Sequence, residues 1–272
     1  ASASATRVNE VLDTQTSVPE WNRDPVPSER KPGVPKIEFK DVSFSYNGTD
    51  KYALKNISVS VMAGETVGII GGTGSGKSTL VNLIPRFYDV TKGEILLDGV
   101  NVKQYPFSQL RGEIGMVPQE AVLFTGTIES NLKWSKADAA PEQLEKALSI
   151  AQAKEIVDGK PQKLQTPVNQ GGKNFSGGQK QRLTIARALV GDPEILILDD
   201  SASALDFATD AALRRALKKY TENMTVLMVS QRASTIKQAD KIIVLDDGEA
   251  VGIGTHKQLM ENCEVYREIC FS

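Results

Sequence analysis

The sequence predicts an α/β fold with a parallel central sheet, an N-terminal antiparallel β subdomain and an inserted α-helical subdomain. Three observations predict it. An apolar run, Val67-Gly68-Ile69-Ile70, leads through Gly71-Gly72-Thr73-Gly74-Ser75-Gly76-Lys77-Ser78-Thr79 into Leu80-Val81-Asn82-Leu83-Ile84, the strand, glycine-loop and helix order of a P-loop. A second apolar run, Ile195-Leu196-Ile197-Leu198, ends in Asp199-Asp200, as a central parallel strand does when it delivers carboxylates to its C-terminal edge. Between them, from about Glu120 to Phe175, a helix-rich region interrupts the strand–helix alternation, with Leu144, Ala147, Leu148 and Ala151 at helical spacing.

The P-loop residues point to phosphate chemistry. Glycines let the backbone curl round an anion with several N–H groups inward, and the helix that follows adds its positive end. Lys77 supplies a mobile charge for the outer phosphates, and the Ser78 hydroxyl can hold Mg²⁺. With that loop upstream, Asp199 is the expected Mg²⁺ partner, and Asp200 is placed to orient or deprotonate a water.

Composition sets outer bounds. At 272 residues and 40% hydrophobic content, the chain can bury a sizeable core, and a net charge of −2 argues against a surface built for nucleic acid. No run of about 18 apolar residues exists to span a membrane. Cys263 and Cys270 form no metal or redox motif and read as reduced cytosolic thiols. Residues 1–14 are weakly helical, with Val8, Val11 and Leu12 on one face. Residues 15–35 read as an extended linker, with prolines at 19, 25, 27, 32 and 35. A chain that starts at Ala1 with a helix end and a tether is expected to be part of a longer polypeptide.

The remaining elements follow in order. Ile37-Glu38-Phe39, Val42-Ser43-Phe44 and Leu54 to Val61 alternate as strands do. Tyr46, shortly before the P-loop, either stacks on a nucleotide base or packs at an edge. Gly93 to Gly99 holds a short strand, and Ile114 to Val117 is another, with Gln119 just beyond it. Ser176 is a natural N-cap for a helix running through Arg182, Ile185 and Leu189, and Gly177 and Gly178 permit close backbone approach. Thr225 to Ser230 is a strand with Gln231 at its end; Ile242 to Leu245 and Ala250 to Ile253 form a hairpin, and a last helix closes the chain.

Together these residues resemble the ATP-binding-cassette (ABC) ATPases over about Lys36 to Phe271. The P-loop, Gln119, Phe175-Ser176-Gly177-Gly178-Gln179, Leu198-Asp199-Asp200 and Ser203-Ala204-Leu205-Asp206 occur in that family's order and spacing. Val122-Leu123-Phe124-Thr125-Gly126-Thr127-Ile128 looks like the exporter branch, whose cassettes follow a membrane domain. The resemblance implies a P-loop NTPase core over 36–119 and 176–272, a helical subdomain over about 120–175, and the end of a membrane-domain helix over 1–14. It also implies that Tyr46 stacks on adenine and that Gly71 to Thr79 wrap the phosphates of ATP. Ser78, Gln119 and Asp199 would serve Mg²⁺, and Asp206 would end a loop at the dimer interface. Ser176, Gly177, Gly178 and Gln179 would be a signature motif that contacts the γ-phosphate held by a second cassette. The implied partners are that second cassette and the transmembrane domains of the same transporter, with no nucleic acid, at the cytoplasmic face of the membrane.

Two departures stand out. Active cassettes of the family usually carry Glu where this chain has Asp200, and a switch histidine where it has Gln231. The chain's single histidine, His256, lies past the last hairpin and cannot substitute. Asp is shorter than Glu by one methylene, about 1.5 Å, and a misplacement of about 1 Å can cost on the order of a hundredfold in rate. Gln231 can hydrogen-bond a phosphate but cannot carry a proton or charge at neutral pH. Binding should survive while hydrolysis at this site is slow. This pattern resembles the degenerate-site half of a heterodimeric bacterial multidrug exporter, donating its signature motif to an unlike partner. A self-sufficient homodimeric ATPase with Asp200 as a slow base, and a non-transport ABC ATPase of the DNA-repair or ribosome-bound kind, are the alternatives. A softer departure, Asn169-Gln170 where exporters often carry Gly-Glu, faces the expected membrane-domain side.

Overall fold

Alternation in sequence becomes a first layer of antiparallel strands. In β2 (Leu54–Val61), Ile57, Val59 and Val61 are buried while Ser58 and Ser60 between them are more open. It pairs with β1 (Ile37–Phe44), Ile37 opposite Val61, and β1 pairs on its other side with β4 (Lys92–Leu97), Ile37 opposite Leu97. The two-residue β5 (Val100–Asn101) completes a sheet of order β2-β1-β4-β5. This computed structural model describes residues 2–14, 16–20, 22, 24–27, 31–49, 51–201, 203–220 and 224–271. Residue 1 of the N-terminal segment and residues 15, 21, 23 and 28–30 of the proline-rich stretch, for which a helix end and an extended linker are expected, lie outside the described residues.

The second layer is the central sheet. β3 (Thr66–Ile70) lies between β10 (Thr225–Ser230) and β11 (Lys241–Asp246), all parallel. β9 (Ile195–Asp199) and β6 (Ile114–Val117) continue the parallel run beyond β10. β12 (Glu249–Gly254) closes the other edge as the antiparallel arm of the expected hairpin. The order is β12-β11-β3-β10-β9-β6. Every residue of β9 and β10 is buried, which explains their unbroken apolar runs: helices cover both faces.

Those helices are α2 (Lys77–Asn82), α3 (Phe107–Gly112), α7 (Gly177–Leu189), α8 (Phe207–Tyr220), α9 (Ala233–Ile236), α10 (His256–Asn262) and α11 (Glu264–Phe271). The inserted part holds α4 (Ile128–Leu132), α5 (Pro141–Ile150) and α6 (Lys154–Asp158), with a small ladder of Gly126–Thr127 against Pro167–Val168. α5 turns Leu144, Ala147 and Leu148 inward and packs with α4 on α7. An N-terminal helix, Ser2–Leu12, exposes Val8, Val11 and Leu12. Among the described residues no helix is long and apolar enough to cross a membrane.

Two features had no signal in the sequence. Residues 16–20, 22 and 24–27 are fastened to the body as a strap. Asn22 Nδ2 donates to Gln104 O (2.9 Å), Phe107 N–H donates to Glu20 Oε1 (2.8 Å), and Gln109 bonds both N–H and C=O of Val26 (2.8 and 2.9 Å). Val18 and Val26 are buried beneath it. At the N-terminal edge of the central sheet, the fully buried Lys36 donates to Asp98 and Glu194, each at 2.6 Å, and reaches Glu113 at 3.5 Å. Glu113 and Glu194 immediately precede β6 and β9, so this cluster joins the antiparallel sheet to the parallel one. Burial pulls the Lys36 ammonium down, but its bonds to Asp98 and Glu194 outweigh that and hold it above its ordinary value. Burial pushes the Glu113 carboxyl up.

Candidate functional site

The parallel register brings the functional residues to one edge. Ile70 lies opposite Ser230, Asp199 opposite Val229, and Val117 opposite Leu198, so the chain leaves β3, β10, β9 and β6 side by side. The glycine loop follows β3, Gln231 follows β10, Asp200 follows β9, and Gln119 lies just past β6. Gln119 and Gln231 are both exposed there.

Sterics fix the loop's shape. Gly76, at φ +100°, starts α2 without a side-chain cap, and a Cβ on it would sit 2.8 Å from Ala53 O. A Cβ on Gly71 would lie 2.1 Å from the carbonyl oxygen of Leu245 in β11. Gly72, Thr73 and Gly74 are the exposed crest, and Ser75 is buried beneath it. The start of α2 thus has no side-chain cap for its first N–H groups, which is the arrangement that takes an anion.

Lys77 is only 8% exposed, and its ammonium is folded onto its own loop, donating to Gly71 O at 2.8 Å and Gly72 O at 2.6 Å. Burial lowers its pKa, while the charges of Asp200 and Asp199 work the other way. Ser78 Oγ donates to Asp199 Oδ1 at 3.0 Å. Burial raises the Asp199 carboxyl and the neighbouring Asp200 adds to it, against the Ser78 bond and Lys77. Asp200 is half-buried at φ +46°, with its N–H on Val229 O (3.0 Å) and its C=O receiving Ser203 Oγ (2.8 Å). Burial raises its carboxyl too, and Lys77 and Arg232 oppose that shift.

The Ser78 hydroxyl and the Asp199 carboxylate, within hydrogen-bond reach of one another, form an all-oxygen donor pair, and Gln119, just past the neighbouring strand β6, carries a further amide oxygen. That chemistry fits a hard divalent cation such as Mg²⁺. Tyr46 adds an aromatic wall. Its hydroxyl pairs with Thr79 Oγ1 at 3.0 Å, its ring meets Phe44 and Tyr88 edge-on at 4.7 and 5.3 Å, and it stays 39% exposed. Edge packing and an accessible ring therefore coexist.

The other predicted residues form a separate group. Ser176 caps α7 in a reciprocal box: Gln179 N–H donates to Ser176 Oγ (3.3 Å) and Ser176 N–H to Gln179 Oε1 (3.1 Å). Gly177 is open, and a Cβ on Gly178 would come within 3.3 Å of Ala204 O, next to the Ser203–Asp206 loop. Asp206 begins α8 by accepting from Thr209 N–H (2.9 Å) and Thr209 Oγ1 (2.6 Å), bonds that lower its pKa. Sequence reasoning missed Thr79 as the partner of Tyr46 and Arg232 as the cation facing Asp200. Arg232 adjoins Gln231 and could have been noticed on that ground.

The family model described as "ABC transporter" matches residues 54–203. An ABC transporter ATP-binding protein of Bacillus subtilis is 44% identical over 269 residues, covering 99% of this chain and 46% of the relative. An ATP-dependent lipid A-core flippase of Haemophilus influenzae is 44% identical over 240 residues, covering 88% and 41%. A putative multidrug export ATP-binding/permease protein of Staphylococcus aureus is 43% identical over 243 residues, covering 89% and 42%. Among solved structures, a bacterial Atm1-family ABC exporter with ATP bound superposes with a TM-score of 0.89 at 33% identity, over 98% of this chain and 46% of that one. The chain thus spans less than half the length of the curated relatives it matches.

Proposed function

Because the chain belongs to the ABC transporter family, we propose that it is the nucleotide-binding domain of an exporter, that it holds Mg-ATP at its P-loop edge, and that it hydrolyses ATP slowly there. The observation that carries this reading is the convergence of Lys77, Ser78, Asp199, Asp200 and Gln231 on one sheet edge. The binding groups are complete and the two groups that would handle the attacking water are altered.

The roles follow from the geometry. The open start of α2 and the Gly72–Gly74 crest receive the phosphates. Lys77, already poised between two loop carbonyls, trades those bonds for charge-assisted bonds to phosphate oxygens. Ser78, Asp199 and Gln119 would hold Mg²⁺, which would supply charge neutralisation on the outer phosphates. Tyr46 presents its exposed ring to the base. Asp200 orients the attacking water from about 1.5 Å further back than a glutamate would. Gln231 offers an amide hydrogen bond where the family usually places an imidazole.

The signature group is set up for work outside this chain. Ser176 and Gln179 satisfy one another at an exposed helix start, and a second cassette supplies the phosphate they meet. In this reading the partner is unlike this chain and carries the full catalytic pair. The membrane domains of the same transporter complete the assembly, with residues 1–14 the end of their last helix, 15–35 the linker and 36–272 the cassette, at the cytoplasmic face of the membrane. Exposed aromatics shortly after Gln119 supply a surface for such docking: Phe124 stacks on Trp134 at 4.5 Å, and Trp134 is 68% exposed. Similarity to a multidrug exporter and to a lipid flippase supports efflux of apolar or amphiphilic molecules.

The test is ATP binding and steady-state turnover of the wild type beside Asp200→Glu/Gln231→His. Wild type is expected to bind Mg-ATP with negligible turnover, and the double variant to gain roughly a hundredfold in rate with unchanged affinity. Rapid hydrolysis by wild type alone, rising steeply with its own concentration, would instead show a competent homodimer.

A further inference from the structure

Arg86 has 0% exposure and no part in the phosphate site. A buried guanidinium is unfavourable unless its donors are met. Nε and Nη2 donate to the two carboxylate oxygens of Asp89 at 2.7 and 3.1 Å, closing the turn between them with a two-bond clamp. Nη2 also donates to Pro19 O at 2.8 Å, on the strap. Nη1 is buried without a partner among the described residues. One guanidinium thus holds both the strap and the turn. Inside that turn lies Tyr88, whose ring meets Tyr46 edge-on at 5.3 Å, and Tyr46 in turn bonds Thr79 of α2.

We propose that Arg86 is a positioning residue that couples the docked strap to the Tyr46 platform, so that the chain grips a nucleotide base more tightly when Pro19, Glu20 and Val26 are seated. The proposal rests on the reading of Tyr46 as the base-stacking ring. Its physical content is the accounting of one buried cation. When the strap lifts, Nη2 loses Pro19 O, and the guanidinium keeps Asp89 as its one hydrogen-bonding partner among the described residues, beside the Phe107 ring 5.3 Å from its Cζ, while Nη1 is already unmet. The turn then gains by opening to water, Tyr88 loses its fixed place, and Tyr46 loses one of its two edge supports. Linkage makes the effect mutual: whatever factor the seated strap adds to base binding, base binding returns to the strap.

Two variants separate coupling from damage. Glu20→Ala/Gln109→Ala removes the acceptor for Phe107 N–H and both bonds to Val26, using partly exposed side chains that touch no proposed ligand. Arg86→Lys keeps a charge but loses the two-bond clamp. Each 272-residue protein is titrated with Mg-ATP and with Mg-tripolyphosphate, which has the phosphates but no base. Amide hydrogen exchange at Val26 and Phe107 is followed in wild type with each ligand. Each variant should weaken Mg-ATP about fivefold and leave tripolyphosphate unchanged. Mg-ATP, but not tripolyphosphate, should slow exchange at Val26 and Phe107 by about the same factor. Equal losses for both ligands in Arg86→Lys would show structural damage and overturn the proposal. So would an unchanged ATP affinity once the strap amides exchange freely. If wild type holds ATP no more tightly than tripolyphosphate, the base-platform reading falls and takes the coupling with it. If wild type binds neither, the nucleotide site itself is wrong.

Discussion

Lys36 and Lys77 are both buried, at 0% and 8% exposure, at opposite ends of the same parallel sheet. Lys36 meets carboxylates from Asp98 and Glu194 at 2.6 Å, and they hold its pKa above the ordinary value. Lys77 meets only uncharged oxygens of its own loop by hydrogen bond, the carbonyls of Gly71 and Gly72 and, at 3.5 Å, the Ser75 hydroxyl, and burial takes its pKa below the ordinary value. The first cation is balanced by the fold. The second is held in reserve, hydrogen-bonded but with its charge uncompensated at contact distance. Burial alone therefore does not separate a lysine neutralised by the fold from one proposed to meet phosphate; the partner does.

Substituting each lysine by methionine tests that division. Lys36→Met leaves three facing carboxylates without their cation, and unfolding should become easier by about 3 kcal/mol, the lower end for a broken buried pair because Glu194 is partly exposed. Nucleotide affinity of the folded protein should not change. Denaturant titration and calorimetry on the same samples would check both, and a loss of affinity with full stability would erase the distinction. Lys77→Met should behave in reverse. Loss of charge-assisted phosphate bonds predicts affinity for Mg-ATP lowered by about a hundredfold, with the unfolding midpoint within error of wild type.

The smallest expected effect is on pH dependence. Because the folded pKa of Lys36 is raised above 10.5, its contribution is fully present below that value and is lost as pH rises through the folded pKa. Stability should thus fall in strong alkali, and the fall should be shallower in Lys36→Met. Lys77, shifted down, contributes in the opposite sense. Melting curves taken across the alkaline range in both variants would sharpen the comparison, and identical slopes would contradict it.

The two lysines also mark how far the sequence could be read. Lys77 sits in a contiguous motif, where glycines, lysine and serine act within a few residues of one another, and local chemistry is legible locally. Asp199 and the strand before it were legible for the same reason, as was the Ser176 cap. Lys36 gathers Asp98, Glu113 and Glu194 from segments far apart in the chain. Nothing in any one segment announces the others, because the contact exists only after two sheets have packed. The proline-rich stretch shows a subtler failure. Its prolines fit the lack of helix and strand among its described residues, but the hydrogen bonds that seat it come from Gln104, Phe107 and Gln109, which carry no motif. Tyr46 lay between: its position suggested two roles, and the structure gives it packed edges together with an exposed ring.

The placement of β3 has a consequence for how the chain is made. Its two neighbours are β10 and β11, which come from residues 225–230 and 241–246, while β3 itself ends at residue 70. A ribosome adding about 5–20 residues per second leaves the P-loop strand without either partner for on the order of ten seconds. During that interval both strand edges are bare, a state open to chaperones and to mispairing. The antiparallel sheet, whose strands all lie before residue 102, can assemble well before then. The nucleotide pocket therefore takes shape only after residues 225–246 have been made, and ATP cannot template its folding before then.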